Sequence, residues 1–404
     1  MNYAFLGRMI PTDFEEEVKK LSVNNMQDAA NAFQWHLYDG LCENLNKGVS
    51  LINVLPIGSY PQYYKRPFVE KKSFCTKYEK NNINVGFFNL KLVRNYLLPR
   101  KIEKELLAWC KENKENRTVF VYTLFAPFLK AIKKTKKMFP DLKACAIVAD
   151  LPDMSNLSSK KSAILKAYEK TQSQAAYKLM KNIDAYVLLT KHMAEYMGIE
   201  KPFCVVEGIS TEFDGAEKKN DENENIKTIL YSGTLHRKFG VLNLLEAFKL
   251  VDKENYRLVI CGIGDSENEI RQAAERDIRI VFKGQLSRQE VLKLQSSATV
   301  LVNPRQNNEE FTKYSFPSKT MEYLSSGTPV IAYKLDGIPD EYDKYINFVT
   351  DNSPSALANA IVETCELSKN KRTLIGEKAR AFVLEEKNYL VQTKKILDFI
   401  KEGA

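Results

Sequence analysis

The chain has 404 residues, of which 44% are hydrophobic and 27% charged, and it carries a formal net charge of +9 at pH 7. This length exceeds what one hydrophobic core ordinarily supports and predicts two domains of about 200 residues each. No apolar run reaches the roughly 18 residues of a membrane-spanning helix, and the first residues lack the basic and apolar regions of a signal peptide. We therefore expect a cytoplasmic protein rather than a membrane-spanning or secreted one.

Short apolar runs alternate with longer amphipathic segments through the first half of the chain, which is typical of βαβ units and a mostly parallel sheet. Helical patterns separate several of these runs. The series predicts one doubly wound α/β domain over residues 1–210. Its predicted strands lie at residues 3–6, 50–55, 84–88, 118–124, 144–148, 185–189 and 203–206.

A lysine-rich segment at residues 128–143 lies in this first half. Residues 1–210 hold 32 lysines and arginines against 21 aspartates and glutamates, a balance of +11, whereas the rest of the chain has a balance of −2. Apolar residues are interleaved with the lysines, so we predict a basic amphipathic helix that ends near Pro140. One interpretation is a solvated lysine face above a core-facing stripe, and the other is docking on the anionic inner face of a membrane.

Two carboxylates follow the predicted strand 144–148, in the sequence Val-Ala-Asp-Leu-Pro-Asp. Asp150 and Asp153 would lie at the carboxyl end of the sheet, where doubly wound domains bind their ligands. A carboxylate there orients or deprotonates an acceptor hydroxyl, or stabilises an oxocarbenium-like transition state. The alternative is turn chemistry, with Asp153 capping the next helix.

Residues 211–227 have few apolar residues and no periodicity, which predicts a linker or a long exposed loop. A second doubly wound domain is predicted over residues 228–387. Two such Rossmann-like domains facing each other across a cleft would place ligands between them. The predicted strands of the second domain lie at residues 229–231, 257–261, 278–282, 300–302, 330–333 and 348–349.

Glycine-containing loops follow the first two strands of this second series. The first loop, between Gly233 and Gly240, carries Arg237 and Lys238. It can bring backbone N–H groups and positive charge to a phosphate. A Gly-x-Gly turn at residues 262–264 follows the next strand. Ordinary turn chemistry is the alternative for both loops.

An arginine follows the predicted strand 300–302. The guanidinium of Arg305 would lie at the same edge of the sheet, where it can reach a phosphate or a sugar. The alternative is a surface ion pair with Glu309 or Glu310, which would contribute little.

The most specific pattern is a loop, a short helix and a strand around Pro317. Pro317 is placed to begin the helix and Gly327 to end it, about two and a half turns later. The first turn offers unpaired backbone N–H groups beside Ser318 and Lys319, which suits a phosphate. Glu322 lies one turn further along. Alone, Lys319 and Glu322 would be an ordinary exposed pair at i, i+3.

Residues 315–330 have the pattern Ser-Phe-Pro-Ser-Lys-x-x-Glu-Tyr-x-x-x-Gly-x-Pro-Val. This pattern is similar to the nucleotide-sugar corner of family 4 glycosyltransferases with the GT-B architecture, above all their bacterial capsule and exopolysaccharide branch. The resemblance implies that Glu322 holds the ribose of the donor nucleotide. Where family members have a second glutamate, which contacts the donor sugar, this chain has Tyr314. The resemblance also implies that residues 388–404 return to the first domain as a helix.

The resemblance extends to further loops of the second domain. Gly262 and Gly264 resemble the glycine turn that lies beneath the nucleotide in the family. Lys283, Gly284 and Leu286 occupy the segment whose backbone meets the base. These residues complete the predicted donor site on its nucleotide side.

This chain departs from the family at several polar positions. Family members bind the donor diphosphate through an arginine and a lysine whose positions here are Thr234 and Phe239, so Arg237 and Lys238 are the predicted substitutes. Glu207 stands near the crossing between the domains, where the family has an asparagine, and is a further catalytic candidate beside the two aspartates.

The resemblance, together with the charge split, implies a glycosyltransferase that moves a sugar from a nucleotide-sugar donor to a saccharide or lipid-linked acceptor in bacterial surface polysaccharide synthesis. The resemblance implies a UDP-sugar donor and retention of the anomeric configuration. The basic first domain would contact the inner membrane face, and no nucleic-acid partner is expected. Two alternatives stay open: a hydrolysing nucleotide-sugar epimerase of the same architecture, and a non-catalytic scaffold that binds nucleotide sugar or nucleic acid.

Metal and cofactor chemistry has little support in the sequence. The seven cysteines are scattered singly and only three histidines accompany them. Neither a disulfide framework nor a zinc site is indicated. No Asp-x-Asp pair and no P-loop pattern occurs, so we expect a metal-independent transfer without a cofactor.

Overall fold

The structure is a computed structural model that describes residues 1–23, 28–153, 163–210, 213 and 225–403. It divides into two compact units, Met1–Val206 with Tyr389–Ala404, and Glu207–Asn388. The predicted linker at residues 211–227 lies almost wholly outside the described residues. Within the described residues, no helix is long and apolar enough to cross a membrane.

The first unit is built on a large parallel sheet. Its strands are β1 (Asn2–Gly7), β2 (Ser50–Asn53), β3 (Phe68–Val69), β4 (Lys72–Phe74), β5 (Asn82–Asn84), β6 (Phe87–Phe88), β7 (Arg117–Tyr122), β8 (Lys143–Val148), β9 (Ala185–Leu188) and β10 (Phe203–Val205). Eight of them form a sheet in the order β10-β9-β8-β7-β1-β2-β5-β4, in which only β4 and β5 pair antiparallel. β3 and β6 form a separate antiparallel pair.

The strand order of this sheet reverses at β1. The chain proceeds from β1 to β2 on one side, then returns to β7 on the other side and continues outward to β10. Every residue of β7 is buried, as expected for a central parallel strand covered on both faces. The gap between the carboxyl ends of β1 and β7 is therefore a topological switch point, where open α/β sheets bind ligands.

The single strand predicted at residues 84–88 is wrong, because the structure has two strands there. β5 joins the large sheet, whereas β6 pairs with β3. Gly86 lies between them, and a Cβ atom at this position would come within 2.5 Å of the backbone nitrogen of Lys71. The close approach of the two backbones marks the point where the chain leaves one sheet for the other.

Seven helices accompany these strands among the described residues of the first unit. They are α1 (Thr12–Leu21), α2 (Asp28–Leu45), α3 (Lys91–Glu112), α4 (Ala126–Met138), α5 (Ala163–Leu179), α6 (His192–Met197) and, from the end of the chain, α13 (Tyr389–Lys401). α13 packs on α2: Asn44 donates a hydrogen bond to the carbonyl of Leu390 at 2.8 Å, and a Cβ at Gly40 would lie 2.4 Å from Oγ1 of Thr393.

The lysine-rich segment forms the predicted amphipathic helix, α4, which ends at Met138. Phe128, Leu129 and Ile132 on its apolar face are fully buried, and the helix packs against α3 and α5. Since these residues belong to the core, the geometry favours a solvated lysine face. Membrane contact through α4 would have to be electrostatic.

The second unit has a six-stranded, wholly parallel sheet in the order β13-β12-β11-β14-β15-β16. Helices cover both faces, and one hydrophobic cluster lies on each side. The switch point lies between β11 and β14. The elements are β11 (Lys227–Ser232), α7 (Val241–Lys249), β12 (Tyr256–Cys261), α8 (Glu267–Arg276), β13 (Ile280–Gly284), α9 (Arg288–Ser297), β14 (Val300–Asn303), α10 (Ser318–Ser325), β15 (Val330–Tyr333), β16 (Asn347–Val349), α11 (Pro354–Glu366) and α12 (Lys369–Glu386).

The strand predicted at residues 278–282 begins two residues later. Asp277 accepts a hydrogen bond from the backbone N–H of Arg279 at 2.9 Å, which closes a turn. Ile278 is consequently 89% exposed, although its residue type suggested a strand.

Candidate functional site

The carboxyl ends of three neighbouring strands of the second unit are joined by backbone contacts. The N–H of Gly233, after β11, donates to the carbonyl of Cys261 at 3.0 Å. The N–H of Gly262, after β12, donates to the carbonyl of Gly284 at the end of β13, at 2.8 Å. These bonds bring the glycine loops predicted from the sequence to one edge of one sheet.

Two of the predicted glycines are required by close packing between loops. Gly262 has a φ of +140°, and a Cβ there would lie 1.8 Å from the carbonyl oxygen of Gly233. A Cβ at Gly264 would lie 2.4 Å from the carbonyl carbon and oxygen of Leu235. The Gly-x-Gly turn therefore lets the loops after β11 and β12 abut.

We expect Gly262→Ala to destabilise the protein by about 4 kcal/mol or more, because it combines backbone strain with a clash against a backbone oxygen. Gly284→Ala is the matched control. Its φ is +64° and no atom lies within 4 Å of an added Cβ, so only about 1–2 kcal/mol of left-handed strain is expected. Urea denaturation of both variants measures the difference. Equal losses would show that the loops separate without cost.

Arg305 follows β14 at the switch point and is 9% exposed. Its guanidinium lies over the ring of Phe311, at 4.4 Å from the centroid, and Nη2 donates to Ser315 Oγ at 2.9 Å. It forms no ion pair with any described residue, so the alternative of a pair with Glu309 or Glu310 is wrong. Burial lowers the pKa of Arg305 to about 10, and the group remains a cation at neutral pH.

Lys238 joins Arg305 on the same aromatic ring. Its Nζ lies 5.5 Å from the centroid of Phe311. Arg237 behaves differently, because its guanidinium is ion-paired with Glu269 and its N–H donates to Asp265 at 3.0 Å. Of the two predicted substitutes for diphosphate binding, the structure places only Lys238 beside Arg305.

The helix α10 begins at Ser318, directly after Pro317, and Gly327 follows its end with a φ of +70°. Ser318 is exposed at the first turn. Lys319 Nζ donates to Glu322 Oε1 at 2.8 Å, which is the predicted i, i+3 pair. The corner around Pro317 therefore has the predicted loop, helix and strand.

Glu322 also has partners outside its own helix. Gln295 Nε2 donates to Glu322 Oε1 at 2.6 Å, and Arg288 Nη1 lies 3.7 Å from Oε2. Burial alone would raise the pKa of Glu322, but the charges of Lys319 and Arg288 and the hydrogen bonds from Gln295 and Lys319 outweigh it and lower the pKa below its ordinary value. Glu322 is thus an oriented carboxylate, and among the described residues Oε2 has only this long contact with Arg288.

A buried polar network supports Glu322 and has no signal in the sequence. Gln295, fully buried on α9, also donates to Ser232 Oγ at 3.0 Å. Tyr323 donates to the carbonyl of Ser232 at 3.0 Å, which ties α10 to the end of β11. Gln295 lies 27 residues from Glu322 in an ordinary amphipathic helix, so only the fold brings them together.

The remaining predicted donor residues lie around this edge. Burial raises the pKa of the Cys261 thiol to about 11, against the opposing charges of Lys319 and Lys283. The positive charges of Lys319 and Lys283 are therefore both close enough to influence Cys261, the last residue of β12. Leu286 packs on the adjacent hydrophobic cluster, and Tyr314 donates to Glu310 Oε1 at 3.3 Å.

The first unit has a cavity of about 560 Å³ at its own switch point. Arg8 after β1, Thr123 after β7 and Asp150 after β8 line it. Desolvation of the Asp150 carboxyl raises its pKa above the ordinary value. This carboxyl makes no hydrogen bond or ion pair with a described residue. The structure therefore places Asp150 where a ligand hydroxyl can reach it.

The other two predicted catalytic carboxylates have structural partners. Asp153 accepts hydrogen bonds from Tyr177 at 2.7 Å and Tyr196 at 2.8 Å, and it does not line the cavity. Glu207 belongs to the second unit, is 3% exposed and lies 2.7 Å from Lys387 Nζ. A carboxylate held in a buried ion pair is poorly suited to act as a base, so the geometry does not support the predicted catalytic role of Glu207.

No cluster of three or more histidine, cysteine, aspartate or glutamate residues that could hold a metal ion occurs among the described residues.

Residues 212–382 match the family profile described as Glycosyl transferases group 1. No curated protein matches the chain in sequence. Similar solved structures include sucrose-phosphate synthase from Thermosynechococcus elongatus, with 14% identity, a TM-score of 0.63 and coverage of 100% of this chain and 99% of that one. Anabaena Alr3699/HepE in complex with UDP is also similar, with 14% identity, a TM-score of 0.58 and coverage of 100% of both chains. A third is the lipopolysaccharide outer core galactosyltransferase WaaB, with 14% identity, a TM-score of 0.60 and coverage of 100% of both chains. At these identities the likeness concerns the fold, which is GT-B.

Proposed function

We infer that this chain, a glycosyltransferase with the GT-B fold whose residues 212–382 match the group 1 family, transfers a sugar from a UDP-sugar to an acceptor hydroxyl. The observation that carries this proposal is the edge of the second sheet, where Lys238 and Arg305 both lie over the ring of Phe311. Lys319, in the first turn of α10, donates to the partly buried carboxylate of Glu322. Cations on two loops and in the first turn of α10 fit a diphosphate, and a carboxylate one turn into α10 fits a ribose.

Transfer breaks the bond between C1 of the sugar and the diphosphate oxygen, and the acceptor oxygen bonds to C1. Negative charge develops on the leaving diphosphate, so fixed cations lower the barrier. Arg305 is suited to this role because it has no carboxylate partner among the described residues. Following the family resemblance, we propose that the anomeric configuration is retained. UDP is proposed as the nucleotide because a similar structure, HepE, is a UDP complex.

The acceptor hydroxyl loses a proton during transfer, and Asp150 is the proposed carboxylate that orients or accepts it. We expect Asp150→Asn to lower kcat by about 10²–10⁴-fold while changing stability by less than about 0.5 kcal/mol. Because burial raises the pKa of Asp150, wild-type activity should fall as pH decreases through that pKa, where the carboxylate becomes protonated. The pH profile of kcat/KM measures this.

Asp153→Asn is the matched control, since it removes a carboxylate three residues away that is held by two tyrosines. It should keep wild-type activity and lose some stability. If Asp153→Asn and Asp150→Asn lowered activity equally, the assignment of Asp150 would be wrong.

The overall proposal is tested by incubating the protein with UDP-sugars and measuring UDP release with and without saccharide or lipid-linked acceptors. Acceptor-dependent release is expected. Turnover of the UDP-sugar without any acceptor would indicate a hydrolysing epimerase. Binding of UDP with no turnover under any condition would indicate a scaffold.

We further propose that the acceptor is lipid-linked, in bacterial surface polysaccharide synthesis, and that the first unit contacts the anionic inner membrane face. Two features support this: the exposed lysines of α4, and the exposed rings of Phe68 and Phe88 with Lys101 Nζ about 5.5 Å from both. Cosedimentation with anionic vesicles, but not with neutral ones, would support membrane contact. Cosedimentation with neither kind of vesicle would contradict it.

A further inference from the structure

The guanidinium of Arg8, after the carboxyl end of β1, lines the cavity of the first unit and has no anionic partner among the described residues. It lies over the ring of Phe125, at 4.5 Å from the centroid. Its Nε is shielded from solvent and has no hydrogen-bond partner in the part of the chain that the structure describes. The cavity is also lined by the carboxylates Asp150 and Glu169, yet neither forms an ion pair with Arg8. A desolvated cation without a counter-charge is costly, so its presence in a cavity indicates a ligand that supplies the charge.

The backbone that carries Arg8 is held rigidly by side chains from other elements. Gln34 accepts from the N–H of Arg8 at 2.8 Å and donates to its carbonyl at 2.9 Å. Asn53 accepts from the N–H of Met9, and Asn31 from the N–H of Ile10, each at 2.8 Å. The loop is therefore organised before any ligand arrives, which is typical of binding sites.

The groups around Arg8 add positive electrostatic potential to the cavity and a hydroxyl that can donate a hydrogen bond. The guanidinium of Arg94 is close enough to act on that of Arg8. Helix α4 begins beside Phe125 without a side-chain cap, so its positive end faces the cavity. The hydroxyl of Thr123 is shielded from solvent and lacks a partner among the described residues. Of the two arginines only Arg8 lines the cavity, and Arg94 contributes its charge from outside the lining. A lining arginine, a helix N-terminus and the Thr123 hydroxyl together fit an oxyanion.

We propose that this cavity binds an oxyanion of the acceptor, a phosphate or a carboxylate, on Arg8 and Thr123, while the acceptor hydroxyl lies toward Asp150. This inference deepens the proposed function and rests on it for the identity of the ligand as the acceptor. It narrows the acceptor class to anionic saccharides, including sugar phosphates and glycans linked to a lipid phosphate.

The test uses the full chain, with inorganic phosphate as the first probe and UDP as an internal control. We expect phosphate to raise the Tm of wild type, and Arg8→Met to reduce phosphate affinity about tenfold to hundredfold, as for loss of a charged hydrogen bond. Without phosphate, Arg8→Met should be as stable as wild type or more so, because it removes an uncompensated charge. Lys133→Met, which removes an exposed charge on α4, should bind phosphate as wild type does. The UDP-induced shift should persist in both variants.

A second set of experiments compares glucose 6-phosphate, glucuronate, a short-chain prenyl diphosphate in detergent, and glucose. We expect at least one anionic probe to bind more tightly than glucose in an Arg8-dependent manner. The probe that binds most tightly shows whether the site takes a sugar phosphate, a carboxylate or a lipid phosphate. A UDP shift with no response to phosphate or to any anionic probe would overturn this inference and leave the proposed function intact. A marked loss of stability in Arg8→Met would also overturn it, since Arg8 would then have a structural role. Absence of any UDP shift would contradict the proposed function, and the phosphate result would still decide the oxyanion site.

Discussion

Replacing Glu322 by alanine is expected to weaken UDP binding about 100-fold, which corresponds to losing one or two hydrogen bonds to a charged acceptor. The structure gives the reason: Lys319 and Gln295 both donate to Oε1, so the carboxylate is oriented. Within the described ranges, Oε2 has only a 3.7 Å contact with Arg288. Ribose hydroxyls can donate to that oxygen. Because the pKa of Glu322 is lowered, its share of the binding should persist through neutral pH and decline only in acid, as the carboxylate protonates.

Titration calorimetry with UDP measures this effect, and the chain offers a matched control. Glu246 on α7 forms an i, i+3 pair with Lys249, with Nζ and Oε1 2.7 Å apart, and both side chains are exposed. Glu246→Ala should leave UDP affinity unchanged. If both alanine variants bound UDP like wild type, Glu322 would be an ordinary helix-surface glutamate and the donor site would have to lie elsewhere.

Lys387→Met is expected to destabilise the second unit by about 3–5 kcal/mol, because it leaves the carboxylate of Glu207 buried without its cation. The side chains of Glu207 and Lys387 are 1% and 4% exposed. Of the residues that the structure describes, only Tyr342, whose hydroxyl donates to Glu207 at 2.8 Å, would remain as a partner. Thermal and urea unfolding of the full chain measure the loss.

The double variant Glu207→Gln with Lys387→Met separates the ion pair from simple packing. It should recover much of the lost stability, since both charges are then absent. Lys249→Met, at an exposed pair, should change stability by less than about 0.5 kcal/mol. An unchanged Tm in Lys387→Met would mean that Glu207 is neutral or reached by water, and its predicted catalytic role would regain support.

The fold was predictable because both sheets are mainly parallel and buried. Buried parallel strands are nearly continuous apolar runs, and these are visible in the sequence without an alignment. The prediction failed where one residue changes the local geometry: at Gly86, where two strands belong to different sheets, and at Asp277, whose side chain closes a turn before β13. Such events depend on tertiary contacts that no local pattern contains.

The sequence predicts which loops form the site better than it predicts which charged side chains are available there. Residues that follow strands can be placed at one edge from topology alone, which is why Arg305 was identified; the same rule applied to β1 identifies Arg8. Whether a charge is available is a different question. Arg237 and Arg305 look alike in sequence, yet one is paired with Glu269 and the other with no carboxylate among the described residues. That distinction depends on a partner 32 residues away.

The return of α13 to α2 has a consequence for the order in which the protein is made. Asn44 and the carbonyl of Leu390 are 346 residues apart in sequence, so the first unit cannot be completed until the ribosome has finished the second. The second unit is one continuous stretch, Glu207–Asn388, and can fold while synthesis proceeds. During translation the face of α2 that α13 covers is left open to chaperones. The domain synthesised first is thus expected to mature last.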